Sequence, residues 1–198
     1  YKLLGKRFVY DHHDLAPEMY YARFGGRGSR LVHRVLLLLE KLSCRLADQV
    51  IATNQSYKVI ETQRGRVPEE RITIVRNAPD LSGWPPTKPD PGRRQHGKMN
   101  IVYVGVIGFQ DGVDYLLRAL WHLVYGLGRT DVSCVLVGDG DALSNVRSLA
   151  AELGLADFVL STGWVERSKV AHYLCAADIC VAPEPSNAYN DRSTMIKL

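Results

Sequence analysis

The chain has 198 residues, a net charge of +4, 46% hydrophobic residues and 23% charged ones. That composition excludes a disordered tail, a collagen-like repeat and a coiled coil, and the length allows one large domain or two small ones with a real core. No run of about 18 apolar residues occurs, so no membrane span is expected, and the opening YKLLGKRFVYD lacks the pattern of a signal peptide.

The charge is divided between the halves. Residues 1–98 hold 18 Lys+Arg and 10 Asp+Glu, a balance of +8; residues 99–198 hold 7 and 11, a balance of −4. Two units with different partners fit this asymmetry. The arginines are scattered, with neither an RNA-binding aromatic motif nor a zinc finger, so nucleic acid is not expected as a partner. An anionic membrane surface or an anionic substrate fits the basic half equally well. None of the four cysteines stands in CxxC spacing; Cys134 and Cys180 sit in apolar runs and read as buried reduced thiols of a cytoplasmic protein. The chain starts without Met and stops in STMIKL, which reads as the first turn of a helix, so a piece of a longer protein is expected.

In chain order, KRFVY (6–10) predicts a strand and DHHD (11–14) a loop. Leu31, Val35, Leu38, Leu39, Leu42 and Leu46 recur at helical spacing after Ser29, a candidate N-cap, with Arg34, Lys41 and Arg45 on the opposite face. VIAT (50–53) predicts a buried strand, SYKVIETQRG (56–65) a helix and ITIV (72–75) a short strand. The stretch 77–98 contains five prolines and little periodicity, which marks a linker. Beyond it strands and helices alternate: strands at 100–105, 133–138, 157–162 and 178–183, helices at 113–126, 142–154 and 167–177. Alternation with helices of this length predicts a parallel sheet of βαβ units.

Ligands of open parallel sheets bind beyond the carboxyl ends of the strands, which selects four loops. GVIGFQDG (105–112) brings Gly105 and Gly108 to a strand-to-helix turn, as a phosphate contact or as a plain tight turn. GDGD (138–141) supplies Gly140 for close backbone approach, with Asp141 as a helix cap. TGWV (162–165) places Trp164 to stack on a base or a sugar, or to pack between helices. PEPSNAYNDRST (183–194) offers Glu184 and Asp191 to sugar hydroxyls, and Arg192, Ser193, Thr194 and the following Lys197 to phosphate. The three-glycine spacing of dinucleotide-binding oxidoreductases is absent, and Gly138 stands where their acidic residue is needed.

Taken in order, VYDHHDLAPEMY, ADQVIATNQSYKVIE, ITIVRNAPD, NIVYVGVIGFQDGVDYLLRAL, VLVGDGDALSNVRSLAAELGL, FVLSTGWV and HYLCAADICVAPEP resemble the family-4 retaining glycosyltransferases, glycosyl transferases group 1. The resemblance implies an α/β fold of two Rossmann-like domains, GT-B type, both incomplete in this chain. It divides the chain into the end of an acceptor domain (1–78), a hinge (79–98) and a truncated donor domain (99–198). It implies a retaining hexosyltransferase for polysaccharide or glycolipid assembly, inactive as this piece alone. The donor is a nucleoside-diphosphate sugar of UDP or GDP type, and the acceptor is a carbohydrate or a lipid-linked molecule. No cofactor and no metal are implied. His13 becomes the catalytic contact to sugar or acceptor, with Asp14 orienting it. The leaving diphosphate falls to the amides of Gly105 and Gly108 and to Arg192, Ser193 and Lys197. Two departures stand out: Val106 and Asp111 occupy the slots of the family's Arg and Lys, and Arg192 falls on its first acidic slot. A nucleotide-sugar epimerase on the same fold and a non-catalytic nucleotide-binding module remain alternatives. The basic helix at 30–46 offers peripheral docking at the inner face of a membrane, or a solvated surface.

Overall fold

In the computed structural model, residues 2–78 and 97–194 are described. They fall into two compact units: residues 2–78 together with 186–194, and residues 97–185. The sequence reading assigns all of 99–198 to the donor side, whereas the structure groups 186–194 with the N-terminal residues.

The first unit carries a three-stranded parallel sheet of order β1-β2-β3. Its strands are β1 (Val9–His12), β2 (Gln49–Ala52) and β3 (Ile72–Ile74). Three helices join them: α1 (Ala16–Arg23), α2 (Arg30–Leu46) and α3 (Gln55–Gln63). The sequence places the first strand at 6–10, but pairing with β2 carries it on to Asp11 and His12, in register with Ile51 and Ala52. DHHD is therefore half strand and half loop. Helix α1 escapes the sequence reading because APEMYYAR lacks an apolar stripe; Pro17, buried in its first turn, suits a helix start. Asn54 caps α3, its Oδ1 accepting from the Tyr57 amide at 3.0 Å. Leu15, Ala47, Val50, Ala52 and Tyr57 form the apolar core, with Tyr189 of the returning segment packed against it.

Helix α2 departs from the usual rule that a periodic apolar stripe faces the core. Leu31, Val35, Leu38, Leu42 and Leu46 are all exposed, and its buried residues are Glu40 and Cys44. The reason lies in what Glu40 binds. Arg64 Nε donates to Glu40 Oε1 at 2.7 Å and Nη2 to Oε2 at 2.8 Å, so the polar side of α2 is drawn inward.

The second unit has a four-stranded parallel sheet of order β6-β5-β4-β7. The strands are β4 (Met99–Val104), β5 (Val132–Val137), β6 (Val159–Gly163) and β7 (Ile179–Cys180). The helices are α4 (Val113–Trp121, continued by a π turn through Gly126), α5 (Leu143–Glu152) and α6 (Arg167–Cys175). The predicted alternation is realised nearly residue for residue. β7 is shorter than expected, because Pro183 and Pro185 follow and this edge strand pairs with β4 alone. Its Cys180 is exposed rather than buried, as is Cys175, while Cys44 and Cys134 are buried. β5 is buried at every position. Tyr103, Leu117, Leu120, Leu136 and Leu155 fill one side of the sheet, and Val102, Val135 and Val137 pack on the other with Tyr173. Among the described residues no helix is long and apolar enough to cross a membrane.

The strand order reverses between β4 and β7. The loops leaving those two strands, 105–112 and 181–185, therefore flank a topological switch point, where open α/β sheets bind ligands.

Candidate functional site

In the second unit the strand-to-helix loops are laced to one another. Gly105 N donates to Val137 O at 3.0 Å, Ile107 N to Asp139 O at 3.0 Å and Ala142 N to Ile107 O at 3.0 Å. The glycines permit this contact: a Cβ on Gly138 would lie 1.8 Å from Gly105 O, and one on Gly140 2.4 Å from Ile107 O. Gly140 thus serves backbone packing. Gly108 N donates to Asp111 Oδ2 at 2.9 Å, and Asp111 is buried. The amides of Gly105 and Gly108, named from the sequence as phosphate donors, are both spent inside the protein. Asp111, in the slot of a family lysine, closes its own loop. Val106 is exposed, its carbonyl accepting from the Tyr103 hydroxyl at 2.6 Å.

Trp164 is 74% exposed after the end of β6, so it does not pack between helices. Glu184 is half-buried just beyond β7. A cavity of about 210 Å³ opens between the starts of α4 and α5, lined by Gly108, Phe109, Val113, Asp114, Asn145 and Leu149 among others; of the predicted residues only Gly108 lines it. The expected Asp141 cap is replaced at the start of α5 by Ala142, with no side-chain cap.

In the first unit, His13 stands half-exposed beyond β1. Its Nδ1 lies 2.8 Å from Asp11 Oδ1 and its Nε2 3.1 Å from Asn77 Oδ1. The Asp11 carboxylate accepts from Nδ1–H, which fixes the ring's orientation. Its pKa is raised, first by the Asp11 bond and then by Asn77. The carboxylate that orients His13 is therefore Asp11, not Asp14. Asp14 instead accepts from the Tyr189 hydroxyl at 3.1 Å.

The segment 186–194, read from the sequence as a phosphate loop of the donor side, folds into this first unit. Asn54 Nδ2 donates to Arg192 O at 2.8 Å and to Thr194 Oγ1 at 3.1 Å. Ser193 Oγ donates to Tyr189 O at 2.9 Å and lies 3.4 Å from the Tyr57 hydroxyl. Asp191 accepts from Ser186 Oγ at 3.0 Å, and Arg192 Nη1 donates to Ala188 O at 2.7 Å. Residues Asn190–Arg192 form one 3-10 turn, after which Ser193 is extended. Lys197 and the helix expected to begin near Ser193 lie outside the described residues.

His12, the neighbour of His13 in DHHD, is the centre of a buried network. It is 2% exposed, with Nδ1 3.1 Å from Glu61 Oε1 and Nε2 3.5 Å from Glu40 Oε2. Arg64 binds Glu40 and, through Nη2, Glu18 Oε2 at 3.1 Å. Burial works against the imidazolium, but bonds and charges from Glu40 and Glu61 outweigh it and lift His12 to about 9. Strand alternation is the signal that separates the two histidines: once β1 runs to residue 12, His12 turns to the interior opposite Asp11.

Residues 98–190 match the family described as glycosyl transferases group 1. An uncharacterized glycosyltransferase of Methanocaldococcus jannaschii is 26% identical over 168 residues, covering 78% of this chain and 40% of its own length. Sucrose-phosphate synthase from Thermosynechococcus elongatus superposes with a TM-score of 0.70 at 19% identity, over 95% of this chain and 48% of its own. HepE of Anabaena, solved with UDP-glucose, gives 0.66 at 21% identity, over 94% of this chain and 50% of its own. The fold class is thereby fixed: an α/β, Rossmann-like, parallel-sheet fold shared with GT-B glycosyltransferases. The chain spans about two fifths of the length of this curated relative and about half that of the solved ones.

Proposed function

We propose that the chain is part of a retaining glycosyltransferase that moves a hexosyl group from a nucleoside-diphosphate sugar to an acceptor hydroxyl. The observation that carries this reading is the match of residues 98–190 to glycosyl transferases group 1, on a sheet whose order reverses between β4 and β7, the kind of position where open α/β sheets take ligands. HepE, one of the structures this fold resembles, was solved with UDP-glucose, which favours a UDP-type donor. The acceptor is proposed to be a carbohydrate or a lipid-linked molecule.

Breaking the sugar–phosphate bond builds negative charge on the leaving diphosphate, which fixed cationic groups and hydroxyls stabilise. The Gly105 and Gly108 amides are engaged within the second unit, and Arg192, Ser193 and Thr194, expected from the sequence to share this task, fold into the first unit on Ala188, Tyr189 and Asn54. Exposed Trp164 is the platform for the base, and Glu184, half-buried beyond β7 in the same unit, accepts from sugar hydroxyls. His13, held through Nδ1 by Asp11, exchanges its Nε2 contact with Asn77 for a hydrogen bond to sugar or acceptor. Calorimetric titration with UDP and UDP-glucose tests the donor assignment. Trp164→Ala is expected to weaken UDP binding about tenfold, the size of one lost base stack. Unchanged affinity in this variant, or no UDP binding by the parent chain, would contradict the assignment.

A further inference from the structure

His13, the histidine proposed to meet sugar or acceptor, has a carboxylate on either side of it in the chain, Asp11 before and Asp14 after. Only one of them holds its ring. Asp11 takes Nδ1–H at 2.8 Å, while Asp14 is turned to the Tyr189 hydroxyl, which donates to it at 3.1 Å. That division decides which nitrogen is left for a ligand: with Nδ1 on Asp11, Nε2 faces Asn77.

The first unit presents the Tyr189 hydroxyl from a fixed support. Asn187 Oδ1 accepts from the amides of Tyr189 and Asn190, both at 2.9 Å, so a side chain closes the turn that carries the ring. The ring packs on the apolar core that holds Leu15, the fully buried residue after Asp14. Asn54 Nδ2, donating to Arg192 O and Thr194 Oγ1, anchors the end of the same segment. Burial, and after it the charge of Asp14, raise the pKa of the Tyr189 hydroxyl, so it keeps its proton and donates. A hydroxyl donating to a carboxylate is a charge-assisted bond, stronger than a neutral one.

We propose that Tyr189 is a positioning residue for His13: by holding Asp14, it reserves Nδ1 of the histidine for Asp11 and leaves Nε2 to the ligand. The role rests on the transferase reading, in which His13 meets sugar or acceptor. Packing on the core accounts for the Tyr189 ring but not for its hydroxyl, which is aimed at the carboxylate that would compete for His13. Asp11 and Asp14 supply the negative charge around His13, and neutral Asn77 faces it from beyond β3. Without the Tyr189 hydroxyl, Asp14 turns to the imidazole, and a second carboxylate on the ring favours the imidazolium.

NMR titration of the His13 imidazole, in the full chain and without nucleotide, tests the proposal. Tyr189→Phe keeps the ring and removes the hydroxyl. Its His13 midpoint is expected to move to higher pH, and adding Asp14→Asn to that variant is expected to bring the midpoint back to the parent's or below it. In the parent background, Asp11→Asn is expected to lower the midpoint further than Asp14→Asn does, a comparison that needs no change at Tyr189. Circular dichroism of each variant confirms that the fold is retained. An unchanged or lower midpoint in Tyr189→Phe, which a packing role alone predicts, would overturn the proposal. So would a rise that Asp14→Asn does not reverse, or a larger fall with Asp14→Asn than with Asp11→Asn. The titration contains no UDP, so its failure leaves the transferase reading standing, and failure of UDP to bind leaves the His13 midpoints as they are.

Discussion

The two units hold their sheets together by different means. In the second, β5 is buried at all six positions and apolar side chains fill both faces. In the first, the centre holds an imidazolium, His12, between Glu61 and Glu40, with Arg64 bridging on to Glu18. An apolar core is additive and tolerant, whereas a buried ionic network depends on every member, because removing one partner strands the others away from water. The same network holds the residues next to the proposed catalytic histidine, since His12 precedes His13 on β1.

The largest expected effect breaks the polar network. Glu61→Ala leaves His12 with one carboxylate and is expected to cost about 3–5 kcal/mol in urea denaturation of the first unit. Leu117→Ala, at a fully buried apolar site of the second unit, is expected to cost about 3 kcal/mol. The pH dependence sharpens the contrast. The folded-state pKa of His12 is raised, so its contribution is complete below about pH 6.5 and is lost as pH rises to about 9. The Glu40 pKa is lowered: burial opposes the shift, and His12 and Arg64 overcome it. Its contribution is present above the ordinary carboxylate range and is lost as pH falls through it. Denaturation midpoints measured against pH are therefore expected to fall for the first unit between about pH 7 and pH 9. The Glu61→Ala penalty shrinks over the same window, while the Leu117→Ala penalty stays constant. The smallest effect is Asp111→Ala. It orphans the buried Gly108 amide and is expected to cost about 1–2 kcal/mol in the same denaturation assay.

The second unit was the more legible in the sequence. Runs such as NIVYVG and SCVLVG, bounded by glycine and alternating with amphipathic helices, state both period and length. The first unit was harder to read for physical reasons. β1 ends two residues later than its apolar pattern, because pairing with β2 carries polar Asp11 and His12 into the sheet. The α2 stripe announces a helix but not which side is inward, since that was decided by Arg64 and His12 gripping Glu40, 24 and 28 positions away in the chain. For the site, GVIGFQDG was found from its glycines, but the loss of the Gly105 and Gly108 amides to Val137 and Asp111 appears only once the loops are folded. The Tyr189–Asp14 bond joins residues 175 positions apart, a distance over which local pattern carries no information.

The central claim is that the chain takes a nucleoside-diphosphate sugar, and saturation-transfer NMR with UDP, GDP, ADP and NAD in parallel tests it most directly. Saturation transferred to UDP or GDP, and weakened by Trp164→Ala, is the predicted result. Transfer to NAD alone, or to none of the four, would contradict it.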